Sequence, residues 1–348
     1  MSEWKPGWWN LSERRRTEMK VVVVGSGLAG AVAARFLADR GHRVEVFESR
    51  EHVGGNCYDR WQDGVMVHQY GPHCFHTDKP EVWEFMNRFA NFRETGFCVV
   101  ANTPRGVIPV PFNDVSAEIV GDLSPEEIRE LLFVDYSEKH WGIPWAEIPS
   151  SITGRVPKRR EGRDCRYHLD RWQGIPREGF TRMFEAMLEG IPVHLGCGED
   201  DWREVKADHV VFTGSIDDYF GRSLGTLEYR SLKFEYATEA KREHFQINEC
   251  NRVNPWTRAV DHSHWLDQKV KRTVIGREYP CEWDGRNVRM YPKPFGGNPE
   301  RFQKYWAAAK AERDVTFVGR LATYKYLDMD DVVAQVMLRL GGGRWSAR

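Results

Sequence analysis

The 348-residue sequence lacks several features, and each lack excludes a class of protein. No apolar run approaches the roughly 20 residues that a membrane-spanning helix needs. Neither sign of charge dominates. Fifty Lys and Arg against 51 Asp and Glu leave a net −1, so no overall field selects nucleic acid or an anionic membrane, although basic patches can still be local. The seven cysteines (57, 74, 98, 165, 197, 250 and 281) are odd in number, scattered, and never spaced as C-x-x-C. That scatter argues for a reducing compartment, the cytoplasm, and against a structural zinc site. There is no internal repeat and no low-complexity tract. The opening "MSEWKPGWWNLSERRRTE" has basic residues but no apolar core, so it reads as a flexible extension over 1–18 rather than a signal peptide. A docking tail using Trp4, Trp8 and Trp9 is the alternative.

What is present suffices for a sizeable core. Apolar residues make up 41% of a chain long enough for one large domain or two interlocked ones. The clearest unit is "MKVVVVGSGLAGAVAARFLADRGHRVEVFE", 19–48. A buried strand at Val21–Val24 runs into Gly25-x-Gly27-x-x-Gly30. A small-residue helix containing Leu28 follows to about Arg40, and a second strand ends at Glu48, just before Ser49. This is a βαβ dinucleotide-binding pattern: the glycines allow a tight turn and close backbone approach to a pyrophosphate, the helix presents free N–H groups to it, and Glu48 accepts from ribose hydroxyls. Without a ligand the same pattern is a tight strand–helix turn. The next stretch, "REHVGGNCYD", places Gly54-Gly55 directly after the acid-bearing strand, which an NAD-type unit does not ask for. The arrangement resembles that of flavoproteins in which such glycines, here including Gly55, and the following Asn56 lie along the FAD diphosphate. FAD is therefore the expected cofactor.

Two later pieces belong to the same layer. "ADHVVFTGS" (207–215) reads as a buried strand, and "DVTFVGRLATYKYLDMDDVVAQVMLRL" (314–340) as a strand, a loop and a helix. Asp328 is the expected N-cap, Asp331 the third helical residue, and Val332, Val333, Val336, Met337 and Leu340 share one face. That helix either points its N-terminus at a ligand or simply packs. Between these pieces, "LSPEEIRELLFVDYSEKHWG" (123–142) is a helix with Ser124 as N-cap, Pro125 at the first position and Glu127 closing a capping box. Segments 226–235 and 272–291 alternate apolar and polar residues as sheet strands do. The expected fold class is α/β: an FAD-binding Rossmann-like layer with inserted helical and antiparallel-sheet substrate regions. The expected division is 19–80, 190–225 and 312–348 for the FAD-binding part, 81–150 for a shortened helical insertion, and 151–189 with 226–311 for the sheet and substrate part.

"GPHCFHT", 71–77, sets His73 and His76 behind a Gly-Pro hinge, with His68 upstream. The three could hold a metal, pack, or line a cofactor. A metal needs three or four ligands in rigid array, and no Asp, Glu or Cys completes the set in a recognisable spacing, so no metal is expected. Of the fourteen tryptophans and twelve tyrosines, eighteen lie between 136 and 326, where they can be core or can stack on a ring-bearing ligand.

At this point the chain resembles the UDP-galactopyranose mutases. The matching stretches include "GSGLAGAVAA", "HVGGNCYD", "YGPHCFHT", "PFN", "YSEKHWG", "GRVP", "DRWQGIP", "LEYRSLKFE", "NPWTR", "EYPCEW" and "GRLATYKYLDM". They run in the family's order from about residue 20 to 340. The resemblance implies an isomerase that interconverts UDP-galactopyranose and UDP-galactofuranose without net redox, through a covalent adduct of reduced flavin N5 with the anomeric carbon, supplying galactofuranose for cell-surface glycans. NAD(P)H is a candidate external reductant. Arg155 and Arg258 match the family's diphosphate arginines, whose charge suits a departing diphosphate. Tyr167, Tyr291 and Tyr326 match diphosphate-binding hydroxyls. Tyr136 matches a residue that stacks on uracil, with Ser137 and Trp141 framing the site, and Asn113 and Asn248 are further substrate candidates. The "GPHxFHT" loop passes the flavin face, so His73 and Cys74 contact the cofactor and His73 joins the arginines as a catalytic candidate. Arg320, Leu327, Asp328 and Met329 match positions at the reactive end of the flavin.

The sequence also departs from the family. Only 22 residues separate "PFN" from "YSEKHWG", where bacterial members carry several helices that contribute to a dimer, so dimer and monomer are both open. Trp172 and Trp256 replace tyrosines, and the stretch between Arg155 and Tyr167 is unusually basic. Rival readings are a mutase acting on another nucleotide sugar, a flavin amine-oxidase-like oxidoreductase, and an idle nucleotide-sugar-binding protein. No nucleic acid partner is expected.

Overall fold

The run of valines at 21–24 lies at the centre of a five-stranded parallel sheet in the computed structural model, which describes residues 18–154 and 159–342. A strand covered on both faces needs apolar residues at successive positions, and Val21, Val22 and Val23 are wholly buried. The strand order is Val193–His194, Arg43–Phe47, Lys20–Val24, His209–Phe212 and Val315–Phe317. Three distant stretches of chain therefore build one layer. The helix Leu28–Ala38 lies on this sheet and against the helix Met329–Gly341. Its buried Ala29, Ala31, Ala33 and Ala34 keep the two helices close, and Val332, Val333, Val336 and Leu340 answer from the other side. Each fully buried valine or leucine contributes roughly 1.5–3 kcal/mol.

A seven-stranded sheet forms the second layer. Its order is Tyr291–Pro292, Tyr229–Ala240, Arg272–Glu282, Arg258–Asp261, Gln246–Glu249, Val99–Thr103 and Gly106–Val110. All pairings are antiparallel except that of Gln246–Glu249 with Val99–Thr103. The last two strands correct the expectation for 81–150: that stretch is not purely helical, because it contributes an edge hairpin to the large sheet. Smaller sheets join Phe75–Thr77, Trp172–Pro176 and Phe92–Glu94, and pair Asp59–Gln62 with Val65–His68.

The capped helix is present, with the Ser124 hydroxyl accepting from the Glu127 N–H and the Glu127 carboxylate accepting from the Ser124 N–H. It is not continuous. A π-helical turn at Glu130–Val134 separates Pro125–Arg129 from Asp135–Trp141. The cysteines bring a second correction. Cys98 and Cys165 form a disulfide across 67 residues of sequence, so scatter along the chain did not exclude pairing. Among the described residues no helix is long and apolar enough to cross a membrane. The extension with Trp4, Trp8 and Trp9 lies outside the described residues, except for Glu18.

Candidate functional site

The nucleotide-binding pattern folds as its spacing suggests. A Cβ on Gly30 would fall 1.8 Å from the Gly25 carbonyl oxygen, so the helix can start against the strand only with glycine there. Gly27 opens the helix as its N-cap, ahead of Leu28. Gly54 bridges to Gly27, and a Cβ on Gly55 (φ +55°) would fall 2.8 Å from the Gly27 Cα. The second glycine pair thus lies against the first loop, leaving backbone rather than side chains along the groove. Glu48 is buried at the end of its strand. Its Oε2 accepts from the Ser26 N–H and hydroxyl, and its Oε1 from the Arg50 N–H and the Ser49 hydroxyl. These four contacts use the carboxylate's acceptor sites, so a ribose hydroxyl would take the place of a serine hydroxyl.

Between this layer and the large sheet lies a cavity of about 580 Å³. From the layer it receives Asn56, His73, Cys74, Arg320, Leu327, Asp328 and Met329. Asp328 is the N-cap residue of the 13-residue helix Met329–Gly341, so that helix begins at the cavity wall. From the helix Asp135–Trp141 and the large sheet come Tyr136, Ser137, Trp141, Asn248, Arg258 and Tyr291, joined by Tyr167 and Tyr326. Fifteen of the expected site residues, far apart in sequence, thus share one cavity wall.

Their chemistry is cationic and phenolic. Arg258 donates from Nε to the Tyr136 hydroxyl at 2.8 Å, and its Nη1 lies 3.5 Å from a carboxylate oxygen of Glu278. Burial opposes the Arg258 charge, but Tyr136, Glu278, Tyr291 and Tyr326 outweigh it and hold the guanidinium protonated. Tyr291 and Tyr326 stack at 5.2 Å, and the Arg320 guanidinium lies 5.1 Å from the Tyr326 ring centre while its Nε donates to the Leu327 carbonyl. Burial pushes the Tyr136 and Tyr291 phenols far above their ordinary range, so both are hydroxyl donors at neutral pH. The result is a pocket of fixed positive charge and O–H donors, suited to an anionic, hydrogen-bond-accepting group.

The three histidines of the "GPHCFHT" region face different partners. His73 is neutral, its pKa lowered to about 4 by burial and by Arg320; its Nδ1 lies 2.9 Å from the Gly71 carbonyl and its N–H donates to His68 Nδ1. His68 stacks on Trp265 at 4.2 Å. His76 instead approaches His168 and Asp170, and the three offer ligand-type atoms within 4.8 Å of one another. Asp170 thus joins His76 in a set that no spacing in the sequence marks. The His76 and His168 rings stack at 3.7 Å and 15°, so their in-plane lone pairs run side by side rather than toward one point. Burial pushes the Cys74 thiol up to about 12, which makes it an unreactive wall.

Some expectations fall elsewhere. Arg155 lies outside the described residues. Asn113 is not in the cavity; it is wholly buried as the N-cap of the helix Asp114–Val120, accepting from the Ser116 N–H and donating to the Asp164 carbonyl. Asn and Asp at a helix start are capping residues first. Sequence reasoning also missed residues. Glu278, His140, Tyr70 and Lys325 line the cavity, and Glu278 and His140 stand inside quoted stretches, "EYPCEW" and "YSEKHWG". What singles out Glu278 is its register opposite Arg258, which only the sheet reveals.

A family model for UDP-galactopyranose mutase matches residues 131–326, and one for an NAD(P)-binding Rossmann-like domain matches 23–89. The chain is 32% identical to a dTDP-fucopyranose mutase of Escherichia coli, with 91% of this chain and 96% of that protein covered. It is also 32% identical to a protein of Klebsiella pneumoniae named "Probable UDP-galactopyranose mutase", with 91% and 92% covered. A crystal structure of reduced UDP-galactopyranose mutase superposes with a TM-score of 0.75 at 14% identity, covering 93% of each chain, which attests the fold. The chain belongs to the UDP-galactopyranose mutase family of isomerases.

Proposed function

We propose that this protein interconverts the pyranose and furanose forms of UDP-galactose with a bound, reduced FAD. The observation that carries the reading is the convergence of Arg258, Tyr136, Tyr291 and Tyr326 with the His73–Cys74 loop and Arg320 in one cavity. The groove between Gly27 and Gly54-Gly55, which a Cβ on Gly55 would obstruct, fits a flavin dinucleotide, with Glu48 placed for a ribose and Asn56 for the diphosphate. On this reading 19–80, 190–225 and 312–348 form the FAD-binding part, and 151–189 with 226–311 the substrate part. When bound and reduced, the flavin supplies the N5 nucleophile for the anomeric carbon. Arg258 stabilises charge on the departing diphosphate, Tyr291 and Tyr326 donate to it, and Tyr136 offers a face to the uracil. Holding the sugar carbon in place converts a difficult encounter into an intramolecular step.

A second reading follows from the 32% identity with a dTDP-fucopyranose mutase: a thymidine-linked 6-deoxy sugar as substrate. One experiment tests both. Dithionite-reduced protein is incubated with UDP-galactofuranose and, separately, with dTDP-fucofuranose, and the pyranose products are quantified. Turnover of the first without stoichiometric consumption of reductant supports the main reading. Turnover of the second alone replaces it, and equal rates for oxidised and reduced protein reject a flavin nucleophile.

A further inference from the structure

Glu278 lies on the strand Arg272–Glu282 directly across from Arg258, with its side chain only 3% exposed. Neither Oε1 nor Oε2 has a hydrogen-bond partner among the described residues. Arg258 comes no nearer than 3.5 Å and gives its Nε to Tyr136 instead. Tyr236, the neighbouring phenol on the adjacent strand, donates to the His68 carbonyl. A carboxylate accepts about four hydrogen bonds, and a buried one left without them is costly. Gly71 explains how the group stays accessible. It adopts φ +90°, and a Cβ there would fall 2.9 Å from Glu278 Oε1, so the loop passes the carboxylate closely without covering it. Glu278 thus looks into the cavity with its accepting capacity unused.

We infer that Glu278 accepts hydrogen bonds from hydroxyl groups of the hexose in the bound nucleotide sugar. The inference rests on the nucleotide-sugar reading above. A diphosphate is repelled by a carboxylate and drawn to Arg258, and a nucleobase is served by aromatic faces, which leaves sugar hydroxyls as the donors. Glu278 touches the Gly71 end of the loop that carries His73, the flavin side of the cavity, where the hexose rather than the ribose must react. A hydroxyl placed by Glu278 fixes the sugar's rotation above the cofactor and discriminates among hexoses by the position of that hydroxyl.

The test titrates flavin-loaded, oxidised protein with UDP and with UDP-galactose. Glu278→Ala is expected to weaken UDP-galactose roughly tenfold to a hundredfold while UDP stays within about threefold. Glu278→Gln, which keeps the shape and one acceptor oxygen, is expected to fall between. A parallel loss for both ligands means that Glu278 only steadies Arg258 and overturns the proposal. A second arm needs no variant: wild-type protein is titrated with the 2-, 3-, 4- and 6-deoxy analogues of UDP-galactose. At least one is expected to bind about tenfold more weakly, and no penalty in any of them overturns the proposal. Failure of UDP itself to bind wild-type protein removes the nucleotide-sugar reading, and this inference with it.

Discussion

Arg258 stands first on its strand, with Nε on the Tyr136 hydroxyl and Nη1 toward Glu278. Its planar fork is therefore aimed before any substrate arrives, and a fixed cation opposite developing charge is worth more in the transition state than in the ground state. Arg258→Ala is expected to lower kcat about 10²–10³-fold, roughly 2–4 kcal/mol, with flavin occupancy unchanged because the residue is not on the nucleotide layer. Arg258→Lys is expected to rescue poorly, since a point charge does not reproduce the fork. If either variant keeps kcat/KM within about threefold of wild type, the arginine only balances its buried neighbours and the substrate assignment on that wall fails. Tyr136→Phe removes one hydrogen bond but keeps the ring, so a loss of about tenfold or less is expected, read from the same kinetics. Arg258 and the tyrosines were legible in the sequence because they sit in short stretches that resemble a family. Glu278 was not, because its meaning comes from Arg258 twenty positions away and Gly71 on another element. Asn113 was misread because its side chain is spent on a helix end.

At the scale of elements, the segment after residue 158 has little regular structure until the strand Trp172–Pro176, yet it places Tyr167 and His168 on the cavity wall. Among the links that hold it, the Tyr167 N–H donates to the Phe97 carbonyl, and Cys165 is bonded to Cys98 next door. A cross-link closing a loop of 67 residues removes chain entropy worth about 4 kcal/mol from the unfolded state. Urea unfolding of oxidised wild-type protein is expected to exceed Cys98→Ser by up to that amount, and a reductant is expected to erase the difference. Denatured, unreduced protein should titrate five thiols, and seven after reduction. Seven before reduction would show that the pair is not bonded. No sequence signal marked this pair, since the two cysteines meet only through the register of Cys98 against Arg166. The capping box at Ser124 and Glu127, by contrast, is a purely local signal and was legible; the π turn that follows it was not, because it answers to packing against the large sheet.

At the scale of the whole molecule, the parallel layer was legible because buried strands and glycine turns write themselves into consecutive residues. The seven-stranded sheet was legible only in parts, since the parallel pairing of Gln246–Glu249 with Val99–Thr103 joins segments that share no local pattern. Where the two layers meet, the fold encloses imidazoles rather than exposing them. Burial lowers His73 and His209 to about 4, His140 and His262 to about 3, and His68 well below the ordinary 6.5. All five are neutral in the folded protein at pH 7, and the unfolded chain takes up their protons as the pH drops below about 6.5. Their contribution is complete above that value and is lost on acidification, at up to about 1.4 kcal/mol per histidine per pH unit. Glu278 and Asp59, whose carboxyls burial pushes up, act with the opposite sign but start from the lower carboxylate range. Unfolding free energy is therefore expected to fall steeply between pH 7 and pH 5, measured by urea denaturation across that range. His209, whose Nε2 lies 2.9 Å from Thr316 Oγ1, is the site at which to read one proton of this slope. His209→Gln should flatten the profile by about one proton. A flat profile in wild-type protein would mean that the histidines are hydrated and that the packing between the layers is looser than the structure describes.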